Sequence, residues 1–145
     1  MALVGEGMQH VQLDALNSHP RALFLHGVCS SSAVSSMQAH NLGIDDIFDI
    51  QYKNGPVRCN VDTSNALNMG KIAGPFYSWI RDQPSPEQII DAVNDVVATA
   101  KRHGSELLIG FSQGAAIALL AASKLSLPVL AICPVGSAIF DACGH

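Results

Sequence analysis

Three residues at fixed spacing, Gly110, Ser112 and Gly114, carry the clearest chemical signal in this 145-residue chain. They lie in the run Leu107-Leu108-Ile109-Gly110-Phe111-Ser112-Gln113-Gly114-Ala115-Ala116, where an apolar strand-like segment passes through Gly-x-Ser-x-Gly into an Ala-rich helical one. A serine on a tight strand-to-helix turn has its Oγ held above a parallel sheet, at the positive end of the following helix. Glycine is needed on both sides, because a side chain at either place would strike the neighbouring strand or block the approach of the helix. Such a serine is a candidate nucleophile for acyl transfer.

The elements needed to position it can be read in order. Residues 21–27, Arg-Ala-Leu-Phe-Leu-His-Gly, form a short apolar run stopped by glycine, as a strand buried on both faces would. Residues 30–40 read as a helix capped by Ser30, Ser31 or Ser32, with Ala33, Val34 and Met37 on its inner face and an end at residues 41–43. Residues 45–53 read as a second strand, stopped by Asn54-Gly55-Pro56. Ser85-Pro86-Glu87-Gln88 is a capping box with proline in the first turn. The helix it opens buries Ile89, Ile90, Val93, Val96, Val97 and Ala100 and closes at His103-Gly104. The strand at 106–111, the serine turn, a helix to about Lys124 and a last strand at 127–133 follow. The helix after Ser112 is apolar nearly all round and should be sandwiched.

Alternating strands and helices imply right-handed crossovers and a mostly parallel sheet covered on both faces, a three-layer α/β sandwich in a single domain. Residues 1–20 carry little pattern and read as an irregular arm, with residues 8–13 as the best candidate for an extra strand. Residues 56–84 hold several Gly and Pro and no sustained period. A loop of that length is usually a lid or a binding loop, and Phe76, Tyr77 and Trp79 place aromatics there, either over a substrate or pinning the loop to the core.

Composition narrows the function classes. Hydrophobic residues make up 48% of the chain and charged ones 14%, which implies strands buried on both faces or a surface that a partner covers. The net charge of −4, with no basic run, gives no footprint for nucleic acid or an anionic membrane. No secretory signal is visible, and no apolar run approaches the roughly 18 residues of a membrane span. A cytoplasmic protein is expected. Cys29, Cys59, Cys133 and Cys143 have no CxxC spacing, so reduced thiols are expected and neither a metal nor a cofactor.

With His26-Gly27 after the first strand, a Gly-Pro-Phe and Trp region, and Gly110-Phe111-Ser112-Gln113-Gly114 later, the chain resembles the α/β-hydrolase superfamily. Within it, residues 21–135 resemble the small serine hydrolases of the FSH family. The resemblance implies hydrolysis of esters or thioesters, including the release of acyl chains from polyketide synthases in fungal secondary metabolism. It makes Ser112 the nucleophile and places the oxyanion hole at the backbone N–H groups of Gln113 and Val28. His26, which ends a strand at the same sheet end as Ser112, is a structural part of the oxyanion loop in the family and could also line the substrate pocket, as Phe76, Tyr77 and Trp79 could.

The triad of this fold runs Ser, acid, His, with the last two on loops after later strands. The chain ends twelve residues after Cys133, so the expectation is a shortened α/β-hydrolase fold lacking its last strands, in which Asp141 and His145 are the acid and base that follow Ser112 in order. His40 and His103, near helix C-termini, read as helix-dipole partners. His10 and His19 fall in the arm, and Cys29 reads as a small buried hydrophobe rather than a second nucleophile. The strand at 127–133 would be an apolar edge, and the expectation is a homodimer formed across it or by exchanged segments. The functions left open are hydrolysis of an acyl ester or thioester, cyclising release to a lactone or pyrone in which the substrate supplies the oxygen, a binding module that keeps the serine turn without turnover, and a shortened product of a longer gene.

Overall fold

The computed structural model describes residues 18–60 and 72–132. Its main sheet has four parallel strands in the order β2-β1-β5-β6: β1 (Arg21–Leu25), β2 (Asp49–Lys53), β5 (Leu107–Phe111) and β6 (Val129–Ile132). Leu23 pairs with Gln51 on one side and Leu108 on the other, and Ile109 pairs with Leu130. The fold is α/β, with helices on both faces of the parallel sheet.

Side chains alternate across a strand, and β1 shows what this does. Ala22 and Phe24 join Ile109, Ala39 and Ile44 in a core beneath helix α1 (Ser32–Asn41). Leu23 and Leu25 face the other way, into a larger core with Leu108, Trp79, helix α2 (Pro86–His103) and helix α3 (Gln113–Leu125). The strand is therefore buried on both faces, as its unbroken apolar run requires.

Helix α2 has the signals read from the sequence. The Ser85 hydroxyl accepts the Gln88 N–H at 3.2 Å, Pro86 stands in the first turn, and Gly104 caps the end at φ 69°. Its inner face is Ile89, Ala92, Val93, Val96, Thr99 and Ala100, whereas Ile90 is half exposed. In α1 the cap is Ser31, and the buried residues are Val34, Ser35 and Ala39; Ala33 and Met37 face solvent, contrary to expectation. This helix meets the sheet through small side chains, so apolarity did not mark its inner face. The second strand starts later than expected, because the chain turns where Ile47 and Phe48 donate to the Ile44 carbonyl at 3.0 and 3.1 Å.

The main departure lies in residues 56–84. The expected lid contains two strands, β3 (Val57–Cys59) and β4 (Phe76–Ser78), in an antiparallel pair with Arg58 opposite Tyr77. Tyr77 also bridges to Ser30, donating to its carbonyl at 2.6 Å and accepting its N–H at 2.9 Å. The expected strand at 8–13 lies outside the described residues.

Candidate active site

Leu25 at the end of β1 pairs with Gly110 in β5, so the turns that follow these strands leave the sheet side by side at its carboxyl edge, where ligands bind in open parallel sheets. At the end of β5 the chain enters α3 through Ser112, whose backbone lies at φ 54°, ψ −119°. Positive φ in a non-glycine residue costs of order 1–3 kcal/mol and persists only where the surroundings hold it. Here they do: the Ser112 N–H donates to the Ile132 carbonyl at 2.9 Å, and its carbonyl accepts the Ala115 N–H at 3.0 Å. The side chain makes no capping bond to the helix, so the hydroxyl is left for chemistry.

Both flanking glycines are obligatory here. A Cβ on Gly110 would lie 2.5 Å from the Ala115 Cα, and one on Gly114 would overlap the carbonyl oxygens of Leu25 and His26. The helix therefore packs directly on the end of β1. Gly27 faces the serine from the other side, its side-chain direction 3.3 Å from the Ser112 Cβ. The loop after β1 thus passes beside Ser112. Gln113 at the first position of α3 has no intrahelical acceptor for its N–H. The Val28 N–H has no partner among the described residues. Gln113 follows Ser112 directly and Val28 follows the Gly27 that lies against it, and the N-terminus of α3 adds its partial positive charge.

His26 is fully buried and committed to structure. Its Nε2 accepts the Gly55 N–H at 2.9 Å, so the ring proton must sit on Nδ1, which points at the Gly27 carbonyl 2.6 Å away. Burial holds its imidazole below the ordinary histidine value, outweighing the Gly27 carbonyl, which favours the cation. Trp79 is also fully buried; its indole Nε1–H donates to the His26 carbonyl at 2.9 Å and its ring lies 5.2 Å from the imidazole. Both side chains thus tie the loop after β1 to the segments at Gly55 and β4. Phe76 and Tyr77 stay partly exposed on β4.

The Gln113 side chain was not singled out from the sequence. It is buried, its Oε1 accepting the Trp79 N–H at 2.8 Å and the Ile80 N–H at 3.4 Å while its Nε2 donates to the Ile80 carbonyl at 3.4 Å. The available signal was a lone polar residue opening an otherwise apolar helix. Cys29 and Cys59 are free thiols beside the loop, and burial, followed by the Cys59 thiol, pushes Cys29 up from the usual range. His40 pairs with Asp45 at 3.0 Å and His103 with Ser105 at 2.9 Å, both away from Ser112. Asp141, His145, Cys133 and Cys143 lie outside the described residues. Among the described residues no cluster of three or more His, Cys, Asp or Glu is placed to hold a metal ion, and no helix is long and apolar enough to cross a membrane.

A strained serine between a parallel strand and a helix, with a glycine-containing loop alongside, defines a class: a serine hydrolase of the α/β-hydrolase type. A family model described as Serine hydrolase (FSH1) matches residues 16–132, and the chain belongs to that family. A crystal structure of an uncharacterized protein from Bacillus cereus ATCC 10987 shares the fold, with a TM-score of 0.53 and 13% sequence identity, over 92% of this chain and 44% of that one. The present chain thus spans less than half the length of that protein. A search of curated proteins found no match.

Proposed function

We propose that this protein cleaves acyl esters or thioesters through attack of the Ser112 Oγ on the acyl carbonyl. The observation that carries the reading is the Ser112 backbone at φ 54°, held between Gly110 and Gly114 and faced by Gly27. In the tetrahedral state the developing alkoxide accepts the N–H groups of Val28 and Gln113. These donors are fixed before the reaction, and each contributes about 3 kcal/mol to the transition state by analogy with other oxyanion holes. The serine proton passes to His145, which Asp141 orients, and returns to the leaving oxygen or thiol as the acyl-enzyme forms. Water then resolves the acyl-enzyme, or a hydroxyl of the substrate itself does so and closes a lactone or pyrone.

For the substrate we propose a polyketide-type acyl chain, on the family resemblance together with the apolar Val28 side chain, 46% exposed on the loop whose Gly27 lies against Ser112. The working form is a homodimer in the cytosol, a compartment suited to the free thiols Cys29 and Cys59.

Intact-protein mass after treatment with a fluorophosphonate probe tests the reaction. One adduct is expected on the wild type and none on Ser112→Ala, which should also lose essentially all ester turnover. No adduct on folded wild-type protein would overturn the nucleophile assignment in favour of a ligand-binding module.

A further inference from the structure

The segment from Tyr77 to Ile80 touches both halves of the oxyanion hole. Toward the loop after β1 it makes a continuous series of bonds. Tyr77 exchanges two backbone bonds with Ser30, the Ser78 Oγ accepts the Cys29 N–H at 2.9 Å, and the Trp79 indole donates to the His26 carbonyl. These partners bracket Val28 on both sides. Toward the serine turn, the Trp79 and Ile80 backbones close on the Gln113 side chain. Trp79 therefore bonds the loop with its side chain and the turn with its backbone N–H.

We propose that Tyr77–Ile80 is a spacer that sets the separation of the Val28 and Gln113 N–H groups, with Ser78 and Gln113 as its positioning residues, one at each end. The proposal rests on the hydrolase reading for its catalytic consequence and on the bond network alone for the coupling. Its physical basis is that the loop and the serine turn belong to different crossovers, 85 residues apart between Val28 and Gln113. Side-by-side strands fix their backbones only as far as Leu25 and Gly110. Beyond that point the loop and the turn meet through van der Waals contact, Gly27 against Ser112 and the His26 carbonyl against Gly114, and Tyr77–Ile80 adds hydrogen bonds to both. Ser78 is 3% exposed and Gln113 9%, so solvent does not readily replace either bond. The Gln113 amide is also suited to its place, accepting from two N–H groups and donating to one carbonyl, which no isosteric apolar residue can do.

Two measurements decide it. In the first, amide exchange of Cys29 and Ser30, whose N–H groups the segment accepts, is followed in the wild type and in Gln113→Met. An increase of about ten-fold or more, with the protection of β5 unchanged, is expected if the turn and the loop are coupled through Trp79. Unchanged exchange overturns the proposal, whatever the chemistry.

In the second, kcat and KM for a p-nitrophenyl ester, and inhibition by an aryl trifluoromethyl ketone that forms a tetrahedral adduct, are measured for Ser78→Ala, Gln113→Met, the double variant and Gln113→Glu. Each single change should lower kcat about ten-fold to a hundred-fold and weaken the ketone comparably, with KM within about two-fold. The double variant should fall little below the worse single one, since both release the same spacing. Gln113→Glu should regain activity as its carboxyl protonates, because the neutral acid again both accepts and donates; this adds an ionisation to its pH profile that the wild type lacks. Losses that multiply, or an unchanged ketone affinity, overturn the proposal. If Gln113→Met does not fold, exchange in Ser78→Ala decides the coupling, read at the Trp79 and Ile80 amides. A wild type that takes no fluorophosphonate label overturns the hydrolase reading, while the exchange result still decides the coupling.

Discussion

His26 can keep both of its ring contacts in only one protonation state. The Gly55 N–H requires a bare Nε2, and a second proton there would set two donors against each other in a site with no solvent. The folded pKa is accordingly below 6.5, the value of the free side chain. Between the two values the unfolded chain holds more protons, so stability rises with pH across that window. The His26 contribution is fully present above pH 6.5 and is lost as pH falls toward the lowered folded value. Urea midpoints taken at steps from about pH 7.5 to 5 should therefore decline, by up to about 1.4 kcal/mol per pH unit within the window. His26→Asn should show a flatter dependence over the same range, and an equally steep decline in that variant would assign the effect to another group.

Helix α2 and strand β4 show which elements a sequence can announce. In α2 every boundary is made by neighbours in the chain: Ser85 caps Gln88, Pro86 occupies a position whose N–H is unused, and Gly104 takes the left-handed turn. Ser85→Ala should cost about 1 kcal/mol of unfolding free energy, read by urea denaturation, while fluorophosphonate labelling stays as in the wild type. A loss below about 0.3 kcal/mol would mean that the tertiary contacts of Ile89, Val93 and Val96 hold the first turn without the cap. Strand β4 is only three residues long, too short for any period to show, and its partners Arg58 and Ser30 lie 19 and 47 residues away. The same limit hid the role of Gln113: the motif marks its place, but the groups it holds are backbone atoms at Trp79 and Ile80, which any residue would supply. The serine turn was legible because its sterics are local. A Cβ at Gly110 or Gly114 would collide with atoms of the turn itself and of the strand end beside it, and those demands are written as residue types.

At the scale of the whole molecule, cover among the described residues is unequal between the two faces of the sheet. Helices α2 and α3 pack on one face over Leu23, Leu25 and Leu108, while α1 packs on the other over β1 and β2. On the α1 side, β5 and β6 carry Phe111, Ile132 and Leu130, with Leu130 39% exposed on the strand at the sheet's edge among the described residues. An apolar strand at an edge invites pairing with another strand, and nothing within β6 opposes this, since Pro128 precedes its first residue. The proposed homodimer would be formed there, two copies of β6 meeting about a two-fold axis and burying both Leu130 side chains. Light scattering on the purified protein should then give twice the chain mass. Leu130→Lys places a charge in that interface without disturbing the inner core and should shift the mass to a single chain with an unaltered circular dichroism spectrum. A wild type that stays monomeric at about 100 μM would remove β6 as an interface, since a contact of standard size ordinarily holds at that concentration. Loss of the dimer together with slower fluorophosphonate labelling would tie the interface to the site, because the Ser112 N–H is bonded to Ile132 on the same strand.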